Sequence, residues 1–375
     1  MIVTSIKQRI IYLLSAIVPT GKVVVFNSSP DYSDNPYALY KSMLTHPAFT
    51  GFRFVWFVQD CNDNQILQTI KADNPSAIVP VGSLKQWWYL LRAKYIIYSH
   101  AFYDSYHFSG SKKRINLWHG TGFKKVGIDN NETPVNSDFL VTTNTTWQRY
   151  LAHSFNLPVG NVWVTGEPRT DLMFTPTDFF RNIHIDRSAY KSIGIWLPTF
   201  RRHILKDSTE GQYSESELAG FSMAQLKELD TFLQEIQGLL IVKLHIYDKL
   251  QQAVFPDFKN ILIVKPENFH SQLYPLLGAM DYLITDYSSV SFDYDILNRP
   301  MAFVLNDMKQ YVDHRGFYET DIEDKLPGKV VNTLDELKDF LREPEKYKVD
   351  TRNRFNDHKD ANVCNRVINC MLSIR

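Results

Sequence analysis

From residue 22 onward, short runs rich in β-branched residues recur between polar loops and helical stretches. The first series occupies 22–26, 53–58, 77–81, 95–98 and 139–142, and a second occupies 193–197, 239–244, 261–264, 282–285 and 301–305. Segments such as 84–91, where Trp87, Leu90 and Leu91 keep helical spacing, lie between them. Short apolar strands alternating with helices predict parallel sheets covered on both faces. Two such series predict two doubly wound α/β units, with a ligand cleft between them at the carboxyl ends of strands. The polar stretch 175–191 reads as the linker. The expected division is 1–20 as a separate helix, 21–185 as a first Rossmann-like domain and 186–375 as a second. The polar stretch 202–218 reads as an exposed loop.

Composition narrows the function. With 41 Lys and Arg against 41 Asp and Glu, the chain lacks the basic excess that gripping a nucleic-acid backbone requires. Three scattered cysteines, Cys61, Cys364 and Cys370, form no C-x-x-C pair, which argues against a disulfide framework or a zinc knuckle. The apolar stretch 10–18 is broken by Ser15 and followed by Pro19. It is too short to span a bilayer, which takes about 20 apolar residues. Lys7 and Arg9 precede it, as in a signal peptide, but no small-x-small cleavage site follows. On a helical wheel Ile2, Ile6, Ile10, Leu13, Leu14 and Ile17 share one face, with Thr4, Ser5, Gln8 and Ser15 opposite. Such a helix suits either a membrane interface or packing on the domain surface.

Several strings at predicted strand ends carry reactive groups. In NLWHGTGFKK (116–125), a His beside a Gly-rich turn places an imidazole near exposed backbone N–H groups, with Lys124 and Lys125 close by. A Gly-rich turn with a structural His is the alternative. Lys243-Leu244-His245 ends a predicted strand, and Asp286-Tyr287-Ser288-Ser289 joins a strand to a helix, with Asp293 about one turn on. Hydroxyls there serve as helix caps or as phosphate ligands. Arginines occur in GEPRTD (166–171), PTFRR (198–202) and RGFY (315–318), where surface ion pairs compete with phosphate contacts. No H-E-x-x-H, Cys/His metal spacing, G-x-S-x-G or Walker-type loop is present.

Taken together and in order, these strings resemble the CDP-glycerol glycerophosphotransferase family, the teichoic acid primases and polymerases. The resemblance rests on WHGT (118–121), G-x-P-R-x-D (166–171), PTFR (198–201), K-x-H (243–245), TDYSS (285–289) and RGFY (315–318). Gly122 stands where members usually have Pro. The chain is similar to the shorter members, without a long N-terminal extension. The resemblance implies a GT-B fold, with a last helix near 363–372 that crosses back. It also implies a reaction in which an acceptor hydroxyl attacks the β-phosphorus of CDP-glycerol and CMP departs. His119 would then be the general base and His245 would steady the phosphoryl oxygens. The CDP-glycerol site would comprise Trp118, Gly120, Thr121, Arg169, Pro198, Thr199, Lys243, Leu244, Ser288, Ser289 and Asp293. Within it, Ser288, Ser289 and Arg169 would hold the pyrophosphate, Pro198 and Thr199 would line the nucleotide pocket, and Asp293 would fix its edge or a ribose hydroxyl. No cofactor and no protein metal site is expected, and a Mg2+ requirement stays open.

The implied acceptor is an undecaprenyl-diphosphate-linked glycan at the cytoplasmic membrane surface, which favours the interfacial reading of the N-terminal helix and a peripheral location on the cytoplasmic side. Rival readings are a GT-B transferase using CDP-ribitol or a nucleotide sugar, and a non-catalytic polymer-binding module.

Overall fold

The computed structural model describes residues 6–100, 102–103, 106–109, 111–132, 137–199, 217–244, 250, 253–265, 269, 272–305, 316–319, 322–351 and 354–374. Strands β1 (Val23–Asn27), β2 (Arg53–Val58), β3 (Ala77–Pro80), β4 (Tyr95–Tyr98), β5 (Lys113–Asn116), β6 (Phe139–Thr142) and β7 (Val162–Val164) form one parallel sheet. Its order is β3-β2-β1-β4-β5-β6-β7. Strand β8 (Ser192–Trp196) begins the second series. A small antiparallel hairpin, β9 (Glu217–Leu218) and β10 (Phe221–Ser222), comes next. The series resumes with β11 (Gly238–Lys243), β12 (Ile261–Val264), β13 (Tyr282–Thr285), β14 (Met301–Val304) and β15 (Lys329–Val331). Apart from the hairpin these strands form a second parallel sheet, ordered β12-β11-β8-β13-β14-β15. Counted from its own first strand, the second sheet runs 3-2-1-4-5-6, the Rossmann order, and the first runs the same way with a seventh strand added at the end.

Strand β1 shows why the first sheet is covered on both faces. Its residues are VVVFN and all five are buried. Side chains alternate across a strand, so Val24 and Phe26 join one core and Val23 and Val25 another. Helix α2 (Asp34–Thr45) contributes Leu39, Tyr40 and Met43 to the first core. Helix α3 (Asn64–Ala72) adds Ile70 to it. On the opposite face lie Ile11 of α1 (Ile6–Ile17) and Tyr89 and Leu90 of α4 (Leu84–Arg92). Helix α5 (Thr145–Ser154) packs beside β6 and β7, with Leu151 and Ala152 buried.

In the second sheet, Leu240, Val242, Ile284 and Val304 meet α7 (Met223–Glu235), reached after the short α6 (Phe179–Asn182). Two further short helices, α8 (Leu273–Gly278) and α9 (Val290–Tyr294), flank β13, and α10 (Leu334–Arg342) completes this face. Gly194 is required in β8, because a Cβ there would lie 1.8 Å from the ring of the buried Tyr282. Hairpin residue Leu218 is fully buried, so the end of the stretch read as an exposed loop belongs to the core. The rest of that loop, 202–216, lies outside the described residues.

The chain divides into two compact units. The first holds Met1–Thr121, Val126–Leu172 and Asp360–Arg375, and the second holds Gly122–Lys125 and Met173–Lys359. The division therefore falls after Leu172, ahead of the 185/186 boundary read from composition. The reason is contact: Gly278 lies so close to Met173 that a Cβ on it would sit 1.8 Å from the Met173 carbonyl. The last helix, α11 (Val363–Ser373), returns to the first unit, where Val367, Ile368 and Met371 enter the α2 core.

Helix α1 is held by its polar edge. Ser15 is fully buried, and its Oγ accepts from the Ser109 N–H at 2.8 Å. Buried Lys112 donates its ammonium to the carbonyls of Ser15 and Val18, a favourable partner for a helix C-terminus. Ile10, Leu13, Leu14 and Ile17 face outward, with Leu13 59% and Ile17 77% exposed. The inward side of α1 carries Ile11 and Ser15, and these four apolar residues of the wheel face outward.

One long-range cap fastens α11. Asp171, the last residue of the GEPRTD string, accepts from the N–H groups of Val363 at 2.9 Å and Cys364 at 2.8 Å. These are donors that a helix start otherwise leaves unpaired. Asp171→Ala is expected to destabilise the first unit by about 1–3 kcal/mol. The measurement is faster amide exchange along α11 together with a lowered unfolding midpoint.

Candidate active site

Four loops at the carboxyl ends of strands in the first unit converge on one buried polar knot. Asn35, at the start of α2, is fully buried. Its Nδ2 donates to the Leu117 carbonyl at 3.0 Å, the Trp118 carbonyl at 3.4 Å and Glu167 Oε2 at 2.6 Å. Its Oδ1 accepts from the Arg169 N–H at 3.0 Å. Glu167, also fully buried, accepts from Thr121 Oγ1 at 3.1 Å. Arg169 Nη1 donates to Asp34 Oδ1 at 2.7 Å and to the His119 carbonyl at 3.1 Å. So Asn35, Glu167 and Arg169 each hold the 117–121 loop from a different direction.

The loop itself is bent sharply after β5. Trp118 has φ 50° and Gly120 has φ 131°, both in the region glycine favours. Asn116 steadies the bend, accepting from the Trp118 N–H at 2.8 Å. The same side chain donates to the His100 carbonyl at 2.7 Å, which ties the β4 loop to the β5 loop. His119 stands between two flat rings. His100 is stacked on it at 4.2 Å with a 13° interplanar angle, and Trp118 lies at 4.1 Å and 36°. Trp118 is backed in turn by Phe155 at 4.8 Å. Burial lowers the His100 pKa, Arg169 lowers it further, and Asp34 opposes the shift.

In the second unit the reactive groups also gather at strand ends. After β8, Thr199 donates its N–H to Asp286 Oδ2 at 2.8 Å and its hydroxyl to the same carboxylate. This joins the PTFR string to the TDYSS string across neighbouring strands β8 and β13. Ser288 and Ser289 follow at the entry to α9, and the Ser288 carbonyl accepts from Ser291 Oγ at 2.9 Å. Asp293 is buried inside α9 and accepts from Tyr274 OH at 2.6 Å. Lys243 ends β11 with its ammonium 4.8 Å from the centre of the Phe269 ring, and burial lowers its pKa to about 8. Leu244 is fully buried. Gly122–Lys125 belong to this unit: a Cβ on Gly122 would lie 3.4 Å from Ser289 Cβ, and the Tyr318 N–H donates to the Phe123 carbonyl at 2.9 Å.

The sequence-derived residues thus fall into two groups. Trp118, His119, Gly120, Thr121 and Arg169 come together in the first unit. Pro198, Thr199, Lys243, Leu244, Ser288, Ser289 and Asp293 belong to the second. Arg169, expected to hold the pyrophosphate with Ser288 and Ser289, donates within the first unit to Asp34 and to the His119 carbonyl. His245, Arg201 and Arg315 lie outside the described residues. Sequence reasoning missed His100, Asp34 and Asn35, and left Asn116 and Glu167 without a role. His100 did carry a usable signal, a His directly after a predicted strand, the same signal that drew attention to His245. Among the described residues no group of three or more His, Cys, Asp or Glu side chains is arranged to hold a metal ion.

Comparison with known proteins places these loops in a wider set. The family model described as CDP-glycerol:poly(glycerophosphate) glycerophosphotransferase matches residues 10–373. A teichoic acid glycerol-phosphate transferase of Staphylococcus aureus is 26% identical over 355 residues, covering 87% of this chain and 85% of the relative. A teichoic acid ribitol-phosphate primase of Bacillus spizizenii is 26% identical, covering 60% of this chain and 59% of the relative. Among solved structures, a variant of the wall teichoic acid polymerase TagF superposes with a TM-score of 0.75 at 22% identity, covering 94% of this chain and 88% of that one. That likeness gives the chain the GT-B fold expected from its sequence. A model match spanning nearly all 375 residues makes this chain a member of the CDP-glycerol:poly(glycerophosphate) glycerophosphotransferase family.

Proposed function

We propose that this member of the teichoic acid transferase family moves glycerol phosphate from CDP-glycerol to a hydroxyl of a lipid-linked glycan and releases CMP. The observation that carries the reading is the setting of His119. It is an imidazole wedged between two rings on a loop held by three buried polar side chains, within the WHGT motif of a chain that matches the family throughout. A general base must be held in place within reach of the proton it takes, and a clamped imidazole on a fixed loop meets that need.

In this reading the acceptor hydroxyl attacks the phosphorus bearing glycerol. The new P–O bond forms as the bond to the bridging oxygen breaks. That oxygen leaves with CMP, and the acceptor's proton goes to His119. Such a transfer relies on positioning and on groups that meet negative charge. The donor side is assigned to Thr199, Lys243, Ser288 and Ser289 in the second unit, with His245 steadying the phosphoryl oxygens. Arg169 serves by fixing the His119 backbone. A ribitol-phosphate relative at the same 26% identity keeps CDP-ribitol as the second donor to test.

CMP release from CDP-glycerol with an undecaprenyl-diphosphate-linked acceptor analogue tests the proposal. His119→Ala is expected to slow it by about 10²–10⁴-fold with folding preserved. Turnover with CDP-ribitol or a nucleotide sugar alone would overturn the donor, and silence with every donor would favour a polymer-binding role.

Lys243 supplies a pH test. With a pKa of about 8, its ammonium is charged below that pH and neutral above it. The KM for CDP-glycerol should therefore rise as pH passes through about 8. Lys243→Met should show the raised KM already at pH ~7 and lose this limb of the profile.

We place the protein at the cytoplasmic face of the membrane, attached through α1. The outward Ile10, Leu13, Leu14 and Ile17, with exposed Arg9 beside them, support this. A helix with apolar residues outward and a cation at its edge suits an anionic lipid interface. In flotation with phosphatidylglycerol vesicles, the pair Leu13→Glu and Ile17→Glu should weaken binding roughly 10-fold or more. Equal flotation of the wild type and the pair would refute the attachment.

A further inference from the structure

His100 packs flat against His119, and the reaction above gives it no role. We propose that His100 is a positioning residue for His119: its ring lies flat against the His119 imidazole at 4.2 Å and 13°, fixes that ring's plane, and opposes a second proton on the stacked pair.

The backbone is arranged to present this ring. His100 directly follows Ser99 at the carboxyl end of β4, next to the point where the sheet order reverses between β1 and β4. That is where ligands meet sheets of this order. Its φ is 61°, a left-handed setting that His adopts more readily than most residues. Asn116 holds the His100 carbonyl at 2.7 Å, and His100 Nδ1 lies 2.9 Å from Ser99 Oγ. The ring is therefore fixed from both its backbone and its side chain. His119, with Trp118 on its other side, has little freedom to turn. A base that must aim one nitrogen at a hydroxyl gains from that restraint, because small misplacements are costly to the rate.

The charges around His100 decide where a proton sits. Facing it are Asp34 from the start of α2, Arg169 from the loop after β7, His119 from the loop after β5, and the Ser99 hydroxyl at its side. Asp34 and Arg169 are bonded to each other at 2.7 Å and largely offset one another. Burial disfavours a charge on His100, which opposes its taking over a proton that His119 has received from an acceptor. Once His119 is charged, a second charge stacked on it is opposed, and the two rings titrate as a coupled pair.

The effect on rate rests on the transferase reading, whereas the coupling between the rings does not, so the test has two arms. In the full chain with isotope-labelled histidine, NMR titration of the imidazole Cε1–H signals compares wild type with His119→Gln. The His100 midpoint should move up by about half a pH unit or more when its charged neighbour is removed. In the CMP-release assay, His100→Asn keeps a residue suited to the left-handed backbone but removes the ring. Its kcat should fall about tenfold or more, with KM for CDP-glycerol within about twofold and an unchanged melting temperature. His100→Phe, which restores a flat ring, should recover most of the loss. An unmoved His100 midpoint in His119→Gln overturns the proposal whatever the rates. Coupling without loss of kcat in His100→Asn, in an otherwise active enzyme, overturns the positioning role. If wild type releases no CMP from any donor, the transferase reading fails, and the NMR arm alone decides whether the rings act as a pair.

Discussion

The carboxamide of Asn35 is the interaction on which the first unit's chemistry hangs. Its oxygen takes the Arg169 N–H, and its nitrogen reaches the loop carbonyls before His119 and the carboxylate of Glu167. That one side chain joins the start of α2, the loop after β5 and the loop after β7. Buried polar groups of this kind are costly when unpaired and specific when satisfied. Glu167 and Thr121 extend the knot on one side, and Arg169 with Asp34 on the other. Arg169 is buried and its partner Asp34 partly so, so removing Asp34 would leave a guanidinium poorly compensated. The left-handed turns at Trp118 and His100 persist because this network and Asn116 hold them.

The parallel sheets were legible because strands buried on both faces read as continuous apolar runs. VVVFN in β1 and GLLIVK in β11 are such runs. Strand β5, expected only as whatever precedes NLWHGTGFKK, is not among the β-branched runs, since its four residues are KRIN. Arg114 is nonetheless buried there, bonded to Asp138 at 2.7 Å and to the Tyr106 carbonyl at 2.7 Å. A charged residue whose partner lies 24 positions away looks like a loop residue until the partner is seen. The same limit placed the domain boundary too late, because the packing of Gly278 on Met173 leaves no trace in composition.

The site was legible in its reactive groups and illegible in their supports. His119 and its motif neighbours stand out as a string. Asn35 and Glu167, which hold them, are 132 residues apart and have ordinary surroundings in the sequence. Arg169 was read by type, as an arginine suited to phosphate, but its geometry commits it to Asp34 and to the His119 carbonyl. For α1, periodicity alone left open which side packs on the domain. Which face meets the protein depended on Ser109 and Lys112, more than 90 residues further on.

The cap on α11 has a consequence for how this protein is made. Asp171 receives amides that enter the chain 192 positions after it. At synthesis rates of roughly 5–20 residues per second, that interval lasts about 10–40 s. Throughout it, the α2 side of the first sheet lacks Val367, Ile368 and Met371, which later complete its core. The first unit therefore cannot mature on the ribosome ahead of the second, despite lying mostly before it in the chain. A nascent chain of this design carries an apolar face that must be shielded until α11 arrives.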